Sequence, residues 1–139
     1  MGDYIGVLKN NIKSKWQDRW NNEPVNNKLK NIKATIGPWN TSIQTDRRTE
    51  VILTRLRIGH TRHTHEYLMT TPQGNVPHCQ TCQVQLTVRH ILCDCRNFNQ
   101  KRSLYLKNKS LPEILSESDQ FSLNRILMFL RQTNLINKI

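Results

Sequence analysis

The sequence predicts a mainly α-helical fold, and three kinds of observation support this prediction. Apolar residues recur every three or four positions in several segments, as they do along one face of an α-helix. Residue types that favour helix N-caps stand before these segments, and Gly59 and Pro112 interrupt the pattern between them. Only 36% of the 139 residues are hydrophobic and 6% are aromatic, so the core should be small for this length. The length itself allows one domain, with at most a small additional unit.

The first predicted helix extends from Tyr4 to Trp20. Its apolar positions are spaced by three or four residues and are Ile5, Leu8, Ile12, Trp16 and Trp20. The other faces carry cations, namely Lys9, Lys13, Lys15 and Arg19. The helix is therefore amphipathic, and tryptophans in such a stripe are more often core residues than platforms for nucleic-acid bases.

Residues 21–44 are rich in asparagine and are predicted to form a long connection, with one brief helix around residues 28–32. Trp39 follows Gly37 and Pro38 and is expected to anchor this connection to the rest of the protein. The predicted organisation is thus an N-terminal region of residues 1–44, containing the amphipathic helix and the connection, and a helical body of residues 45–139.

The next helix is predicted to begin at Thr45 or Asp46, either of which can cap it, and to end near Gly59. This segment holds the densest arginine cluster of the chain, which consists of Arg47, Arg48, Arg55, Arg57 and, just beyond the helix, Arg62. Guanidinium groups on one side of a helix can hold phosphates with bidentate geometry. The alternative is that several of them only cover the surface or bond carbonyls at the helix end.

Three histidines follow this helix, at His60, His63 and His65. No cysteine, aspartate or second ligand pair accompanies them, and Glu66 is the only adjacent acid, so a metal site is not predicted here. We expect them instead to cap or bridge the start of a short helix that extends to Met69. A loop containing proline and glycine then leads to the cysteines.

Three cysteines and a histidine follow in a pattern typical of a zinc site, formed by Cys79, Cys82, His90 and Cys95. The two-residue gap between Cys79 and Cys82 lets a tight turn direct both sulfurs to one point, with residues 83–86 as one arm of a small hairpin. Thr87 can cap a short helix that presents His90 to the same point. Because structural Zn²⁺ takes four nitrogen or sulfur ligands in a tetrahedron, the pattern predicts a zinc module at residues 76–96.

Alternatives to this assignment remain open at the level of sequence. Cys93 competes as the fourth ligand, because it would share the face of His90 if the helix continues, but a gap of four residues after the histidine favours Cys95. Two disulfides, a redox-active Cys-x-x-Cys pair or free buried cysteines would also account for the four cysteines. The start at Met1, with no apolar signal run after it, disfavours disulfides and predicts an intracellular location, nuclear or cytoplasmic.

Two further helices are predicted after Cys95. The first combines a basic side with a buried side and ends before Pro112; its basic residues are Arg96, Lys101, Arg102, Lys107 and Lys109, and its apolar residues are Phe98, Leu104, Tyr105 and Leu106. The last helix is predicted to begin near Ser118 or Asp119. Its apolar stripe consists of Leu123, Ile126, Leu127 and Leu130, and Leu135 and Ile136 are expected to dock the tail.

The charge balance favours a polyanionic partner. The chain has 21 Lys and Arg against 10 Asp and Glu, which gives a formal net charge of +11 and a pI near 10.0. Nucleic acid is the commonest such partner. The alternatives are that the basic surface binds an acidic lipid or that it is only solvated. No stretch approaches the roughly 18 apolar residues of a membrane span, so no membrane partner is predicted.

The sequence also disfavours catalysis. Hydrolysis of phosphate esters usually needs two or more carboxylates in one pocket to hold Mg²⁺, and the acids here are scattered singly. Neither a glycine-rich phosphate loop nor a Gly-x-Ser-x-Gly motif is present in the sequence. A zinc ion with four protein ligands has no open position for water, so we expect the metal to be structural and the chain not to be an enzyme.

Residues 53–65, 79–82 and 86–95 together resemble the C-terminal tail of the polyprotein of arthropod non-LTR retrotransposons of the Jockey and I-like groups. The similarity extends to residues 15–20, 36–39 and 129–139, and thus covers nearly the whole chain. It implies a zinc-knuckle-like module with the ligands Cys79, Cys82, His90 and Cys95, which contacts element RNA or target DNA. Cys93 and His63 depart from the pattern, since the family usually has an aliphatic residue and a leucine there.

In those elements the tail follows endonuclease, reverse transcriptase and often RNase H domains, and nothing in this chain matches the polymerase or the RNase H acidic cluster. The sequence therefore predicts a zinc-dependent nucleic-acid-binding domain without catalysis, which contacts RNA or DNA through Arg47, Arg48, Arg55, Arg57, Arg62, Arg96, Lys101 and Arg102. The alternatives are a protein-interaction or scaffolding domain that docks onto other domains of the same polyprotein or onto a host factor, and a remnant without function.

Overall fold

The computed structural model describes residues 2–37, 46–70, 74–116 and 119–139. Within these ranges the chain is mainly α-helical and has no β-strand, which confirms the predicted fold class. The helices are α1 Gly2–Asn21, α2 Lys28–Ile32, α3 Arg47–Ile58, α4 Arg62–His65, α5 Tyr67–Thr70, α6 Asn99–Leu106, α7 Leu111–Ser116 and α8 Gln120–Gln132. A π-helix, His90–Asp94, and a 3₁₀ turn, Arg96–Phe98, lie between α5 and α6. No helix in the described ranges is long and apolar enough to cross a bilayer.

Helix α1 forms as predicted but contributes little to the core. Ile5, Ile12 and Trp16 are 56%, 51% and 66% exposed. Its C-terminal half lies against the connection, where the indole N–H of Trp20 donates to the carbonyl of Lys33 at 3.0 Å and the side chain of Gln17 bonds the backbone of Ala34 and Ile36. The expectation that the tryptophans are core residues is therefore wrong for Trp16 and only partly met by Trp20, which is half-buried against the connection.

Helix α3 is capped by Asp46, whose carboxylate accepts hydrogen bonds from the backbone N–H groups of Arg48 and Thr49 at 3.1 and 3.2 Å. The alternative cap Thr45, the expected anchor Trp39 and the alternative cap Ser118 of the last helix lie outside the described residues. Helix α2 packs against α3 and α7 and buries Ile32. The predicted brief helix in the asparagine-rich connection is thus part of the body.

Gly59 ends α3 in the left-handed conformation, with φ +70°. A Cβ atom at this position would lie 2.6 Å from Cδ of Lys28, whose side chain crosses the glycine. Replacing Gly59 with alanine should therefore lower the free energy of unfolding by about 1–2 kcal/mol, the usual cost of this backbone conformation for a residue with a Cβ. Urea unfolding measures this change. Gly6→Ala is the control, because its added methyl group meets nothing within 4 Å; equal midpoints for the two variants would contradict the prediction.

The core lies between α3, α6, α7, α8 and the segment that carries the cysteines. The predicted stripe of α8 is buried, as is Leu135 in the tail. The cap of α8 is Asp119, which accepts from the N–H of Ser122 at 2.9 Å. The largest fully buried side chains are Phe129, Leu53, Leu56, Ile91, Leu92, Leu115, Leu123, Ile126 and Leu130. The predicted apolar stripe of α8 therefore forms the centre of the core.

The helix predicted after Cys95 differs in detail. Helix α6 buries Leu106, but Leu104 is 64% exposed and does not belong to the core. The helix ends at Leu106 rather than at Pro112. Pro112 instead lies in the first turn of α7. Backbone N–H groups in a first turn have no acceptor within the helix, so a proline there costs no hydrogen bond.

Candidate metal centre

A small hairpin positions the first two cysteines. His78 and Gln85 form an antiparallel bridge, and the N–H of Cys79 donates to the carbonyl of Val84 at 2.8 Å. Gln83 turns the chain in the left-handed conformation, with φ +56°, and its N–H donates to the carbonyl of Cys79 at 2.8 Å. The predicted hairpin arm at residues 83–86 therefore pairs with residues 77–79. Cys79 ends the first arm, and Cys82 lies in the turn.

The histidine is positioned by a short helix that begins as predicted at Thr87. The hydroxyl of Thr87 accepts a hydrogen bond from the N–H of His90 at 3.0 Å. The chain then passes into the π-helix, and the N–H of Cys95 donates to the carbonyl of His90 at 2.7 Å. This wider turn was not predicted. It separates Cys93 from the other cysteines, and the Cys93 sulfur instead lies 4.0 Å from the carbonyl of Lys109.

The structure brings Cys79, Cys82, His90 and Cys95 together. One ligand atom from each residue lies within 4.8 Å of the others, and the sulfurs of Cys79 and Cys95 are 3.7 Å apart. A tetrahedral zinc with Zn–S bonds of about 2.3 Å has sulfur–sulfur edges of about 3.8 Å. The cluster is therefore compatible with a metal such as zinc, and Cys93 is not part of it.

The histidine of this cluster has an unsatisfied ring nitrogen. His90 is only 6% exposed, and its Nε2 atom is buried without a hydrogen-bond partner among the described residues. Leaving a buried polar atom unpaired costs about 1–3 kcal/mol. A metal ion coordinated through this nitrogen would remove that cost, so the unpaired nitrogen also fits a metal at this site.

The pKa values of two thiols in the cluster, those of Cys79 and Cys95, are shifted in opposite directions. Burial opposes ionisation of Cys79, but the adjacent His90 imidazole, the backbone N–H groups of Cys82 and Thr81 and the neighbouring Cys95 lower its pKa to about 6. Burial raises the pKa of Cys95 to about 11, and the neighbouring Cys79 acts in the same direction. One thiolate therefore forms readily at neutral pH, whereas the buried thiol needs the positive charge of a metal to ionise.

None of the four cysteines forms a disulfide in the described structure. Cys93 is half-buried, and burial raises the pKa of its thiol. The thiol is thus neutral at neutral pH and lies outside the metal-compatible cluster. Of the two candidates for the fourth position, the structure places Cys95, and not Cys93, beside the other three residues.

Arg102 is buried beside the cluster and is only 4% exposed. Its Nε donates to the carbonyl of Leu92 at 2.9 Å, and its Nη2 donates to the carbonyl of Cys95 at 2.6 Å. No carboxylate of the described residues forms an ion pair with it. A buried guanidinium cannot reach a phosphate, so Arg102 is removed from the predicted nucleic-acid surface. Instead, its hydrogen bonds stabilise the backbone of the π-helix at Leu92 and of the candidate ligand Cys95.

The remaining predicted cations are mostly on the surface. Arg47, Arg48, Arg55, Arg62 and Arg96 are exposed, whereas Arg57 and Lys101 are half-buried. Nε of Arg57 donates to the carbonyl of Leu115 in α7 at 3.1 Å, and Nη1 of Arg55 donates to the carbonyl of Ile139 at 2.7 Å. Arg62 pairs with Glu66 at 3.0 Å. The exposed members at and after α3 keep the predicted cationic surface, while Arg57 mainly ties α3 to α7.

The histidines after α3 do not cap a helix. Thr61 caps α4 through a capping box with Thr64. The rings of His60 and His65 stack with centroids 4.0 Å apart and planes at 11°, and the ring of Tyr67 lies 6.3 Å from that of His65. These histidines belong to no metal-compatible group in the part of the chain that the structure describes. Sequence spacing did not predict this stack, because it depends on α4 beginning directly after the turn at Gly59, with His60 before the helix and His65 at its end.

Comparisons of the chain with protein-family models, with curated proteins and with solved structures found no match. The geometry of the site is therefore the basis for a functional proposal.

Proposed function

We propose that this protein is a zinc-dependent nucleic-acid-binding domain that has no catalytic activity of its own. The observation that best supports zinc is the approach of three sulfurs and one imidazole to within 4.8 Å of one another. Sulfur and imidazole nitrogen are the ligands that structural zinc prefers. With all four positions taken by protein, the ion would have no site for water, so its role would be structural.

The zinc would join two segments that the apolar core connects only loosely. Cys79 and Cys82 come from the hairpin, whereas His90 and Cys95 flank the π-helix. Cys95 is 1% exposed and lies in the core, but both hairpin cysteines are half-buried. Coordination would thus fix the position of the hairpin relative to the body.

The cationic surface at and after α3 supports nucleic acid as the partner. Arg47, Arg48, Arg55 and Arg62 are exposed, and the whole chain has a formal net charge of +11. Phosphate contacts by such side chains release condensed counterions, so affinity falls steeply with salt. The origin in a retrotransposon polyprotein stays a prediction from the sequence resemblance, and it is in keeping with RNA or DNA as the partner.

Removing two of these arginines should weaken binding and reduce its dependence on salt. For Arg55→Ala/Arg62→Ala we expect about a tenfold loss of affinity at low salt, and a slope of log K against log salt that is smaller by about 1–2, since each lost phosphate contact removes about one unit. Fluorescence anisotropy with labelled RNA and DNA over a salt series measures both quantities.

The matched control is Lys9→Ala/Lys15→Ala, which removes the same charge from exposed positions on α1, outside the cationic surface at and after α3. We expect this variant to lose less than twofold to threefold in affinity, because it changes only the overall charge. If the two double variants bind alike, the cationic surface at α3 is not the binding surface.

A protein-interaction domain is the second candidate, and the exposed apolar stripe of α1 favours it. Tyr4, Ile5 and Leu8 are 72%, 56% and 44% exposed, and Trp16 adds a large exposed ring. Such a stripe is typical of a helix that packs against a partner, which could be another domain of the same polyprotein. Size-exclusion chromatography beside the binding assay separates the candidates, since a scaffolding domain would bind nucleic acid weakly and without a defined surface.

A further inference from the structure

A groove lies between α2, the C-terminal end of α3 and the chain that follows the hairpin. Its volume is about 600 Å³. Its floor consists of core residues, namely Ile32, Leu56, Leu86 and Val88, which are all at most 8% exposed. We call this feature the α2–α3 groove. It gives the cationic side of the protein an apolar surface that is open to solvent.

The rim of the α2–α3 groove is positively charged. Lys28, Arg57 and Arg89 line it, together with the amide side chains of Asn31 and Gln85, and no carboxylate is among the described residues that line it. Nζ of Lys28 lies 3.4 Å from the carbonyl of Gly59 at one edge. A ligand with an apolar face and a negative charge beside it would match this distribution.

The stacked histidines form part of the wall. His65 lines both the α2–α3 groove and a neighbouring cavity of about 470 Å³, which is also lined by His60, Arg55 and Arg62. The ring of His65 is held by the stack with His60 and by a 2.7 Å hydrogen bond between its Nδ1 and the hydroxyl of Thr64. The held ring of His65 thus contributes to the lining of both cavities. Both cavities have cations at their edges, and the second is also lined by Glu66, which pairs with Arg62.

We propose that the α2–α3 groove receives an unpaired base of a single-stranded nucleic acid, and that the next nucleotide lies in the cavity on the other side of His65. Aromatic rings beside cations are the usual means of binding single strands, because every base has a face that can stack. The apolar floor accommodates the base, and the two amides can contact its edge. Lys28 and Arg89 meet phosphates, and Arg89 exchanges its 3.7 Å ion pair with Asp94 for one of them. This inference rests on the proposed function and assigns a site to it.

An acidic peptide with an apolar side chain is the competing occupant, since it would also match an apolar floor and a cationic rim. The held ring favours the base, because every base has a face that can stack on it, whereas only the aromatic and arginine side chains of a peptide can do so. The two occupants differ in one testable respect. Loss of the ring at position 65 should weaken the binding of a base, but not that of an acidic peptide whose apolar side chain is aliphatic.

The first test compares His65→Leu with His65→Phe, which both lose the bond to Thr64 but differ in whether a flat ring remains. The probes are a labelled oligouridine of about 12 nucleotides, within the usual size of a single-strand site, and a duplex of the same length. We expect His65→Leu to bind the single strand about tenfold more weakly and His65→Phe to bind it within about twofold of wild type. Equal affinities of the two variants for oligouridine would overturn the base-stacking site.

The second test uses Val25→Glu, which places a carboxylate at the rim of the groove on a residue that is 87% exposed, so that folding is not affected. Its control is Leu104→Glu on α6, which is 64% exposed and does not line the groove. We expect only Val25→Glu to weaken oligouridine binding, by about fivefold or more.

The outcomes distinguish this site from the proposed function. If Val25→Glu and His65→Leu bind oligouridine like wild type while Arg55→Ala/Arg62→Ala binds it weakly, the groove is not the site but the domain still binds nucleic acid. If wild-type protein binds neither probe at low salt, the proposed function itself is wrong. If oligouridine does not bind in the groove but an acidic peptide does, and Val25→Glu abolishes binding of that peptide, the groove belongs to the competing occupant.

Discussion

Removal of bound metal by a chelator should lower the free energy of unfolding by about 4 kcal/mol or more, which is the linkage expected for a ligand present at a thousand times its dissociation constant. The reason is that the hairpin is held to the body by half-buried cysteines and few backbone bonds, and that a buried nitrogen of His90 lacks a partner. Urea unfolding with and without chelator measures the change, and elemental analysis of protein purified without chelators should find about one zinc per chain.

Cys93 provides the control for this prediction. Cys95→Ser should abolish stoichiometric zinc and reproduce the effect of the chelator, whereas Cys93→Ser should keep both zinc and stability, because Cys93 lies outside the cluster. Protein without stoichiometric zinc, or equal losses in the two serine variants, would contradict the assignment of the ligands.

The cysteine cluster could be predicted from sequence because most of its geometry is local. A two-residue gap in a turn brings two sulfurs together in almost any fold, and Thr87 begins the helix that positions His90. The choice between Cys93 and Cys95 depends on more than spacing, because the π-helix changes which residue follows His90 on the same side. Nothing in the residue types of this turn indicates a π-helix.

Helix caps and apolar stripes were predictable for a similar reason. Asp46, Gly59 and Asp119 act through backbone groups within three or four residues, so their effect does not depend on the rest of the fold. Pro112 shows where this reasoning fails. A proline both stops a preceding helix and suits the first turn of a following one, and the sequence alone does not distinguish the two.

The exposure of α1 could not be predicted from its pattern. An amphipathic sequence indicates that one face gains from burial, but it does not say whether the same chain provides the partner. Here Ile5, Ile12 and Trp16 all remain more than half exposed, although Ile12 and Trp16 lie beside Ile36 of the connection. The same reasoning applies to the stacked His60 and His65, which meet only because α4 begins directly after the turn at Gly59.

Replacing Arg102 with methionine should lower the free energy of unfolding by about 3 kcal/mol or more. Hydrogen bonds from a charged donor contribute about 1.5–3 kcal/mol each, and the guanidinium donates to the carbonyls of both Leu92 and Cys95. Its burial was not predictable, because arginine is normally a surface residue and its position among basic residues suggested a phosphate contact. Urea unfolding measures the loss, and Lys101→Met on the same helix is the control; equal losses in the two variants would contradict the structural role.

Arg102 should also raise the affinity of the protein for zinc, because its charge opposes that of the metal centre. Three thiolates and one Zn²⁺ carry a net charge of minus one, and Arg102 is a buried positive charge without a carboxylate partner among the described residues. A chelator competition should therefore rank zinc affinity as wild type, then Arg102→Lys, then Arg102→Met. Lysine keeps the charge but cannot direct two donors in the fixed geometry of a guanidinium, so an intermediate value separates the contribution of charge from that of hydrogen-bond geometry. Equal zinc affinity in all three proteins would mean that Arg102 stabilises the fold alone and does not balance the charge of the metal centre.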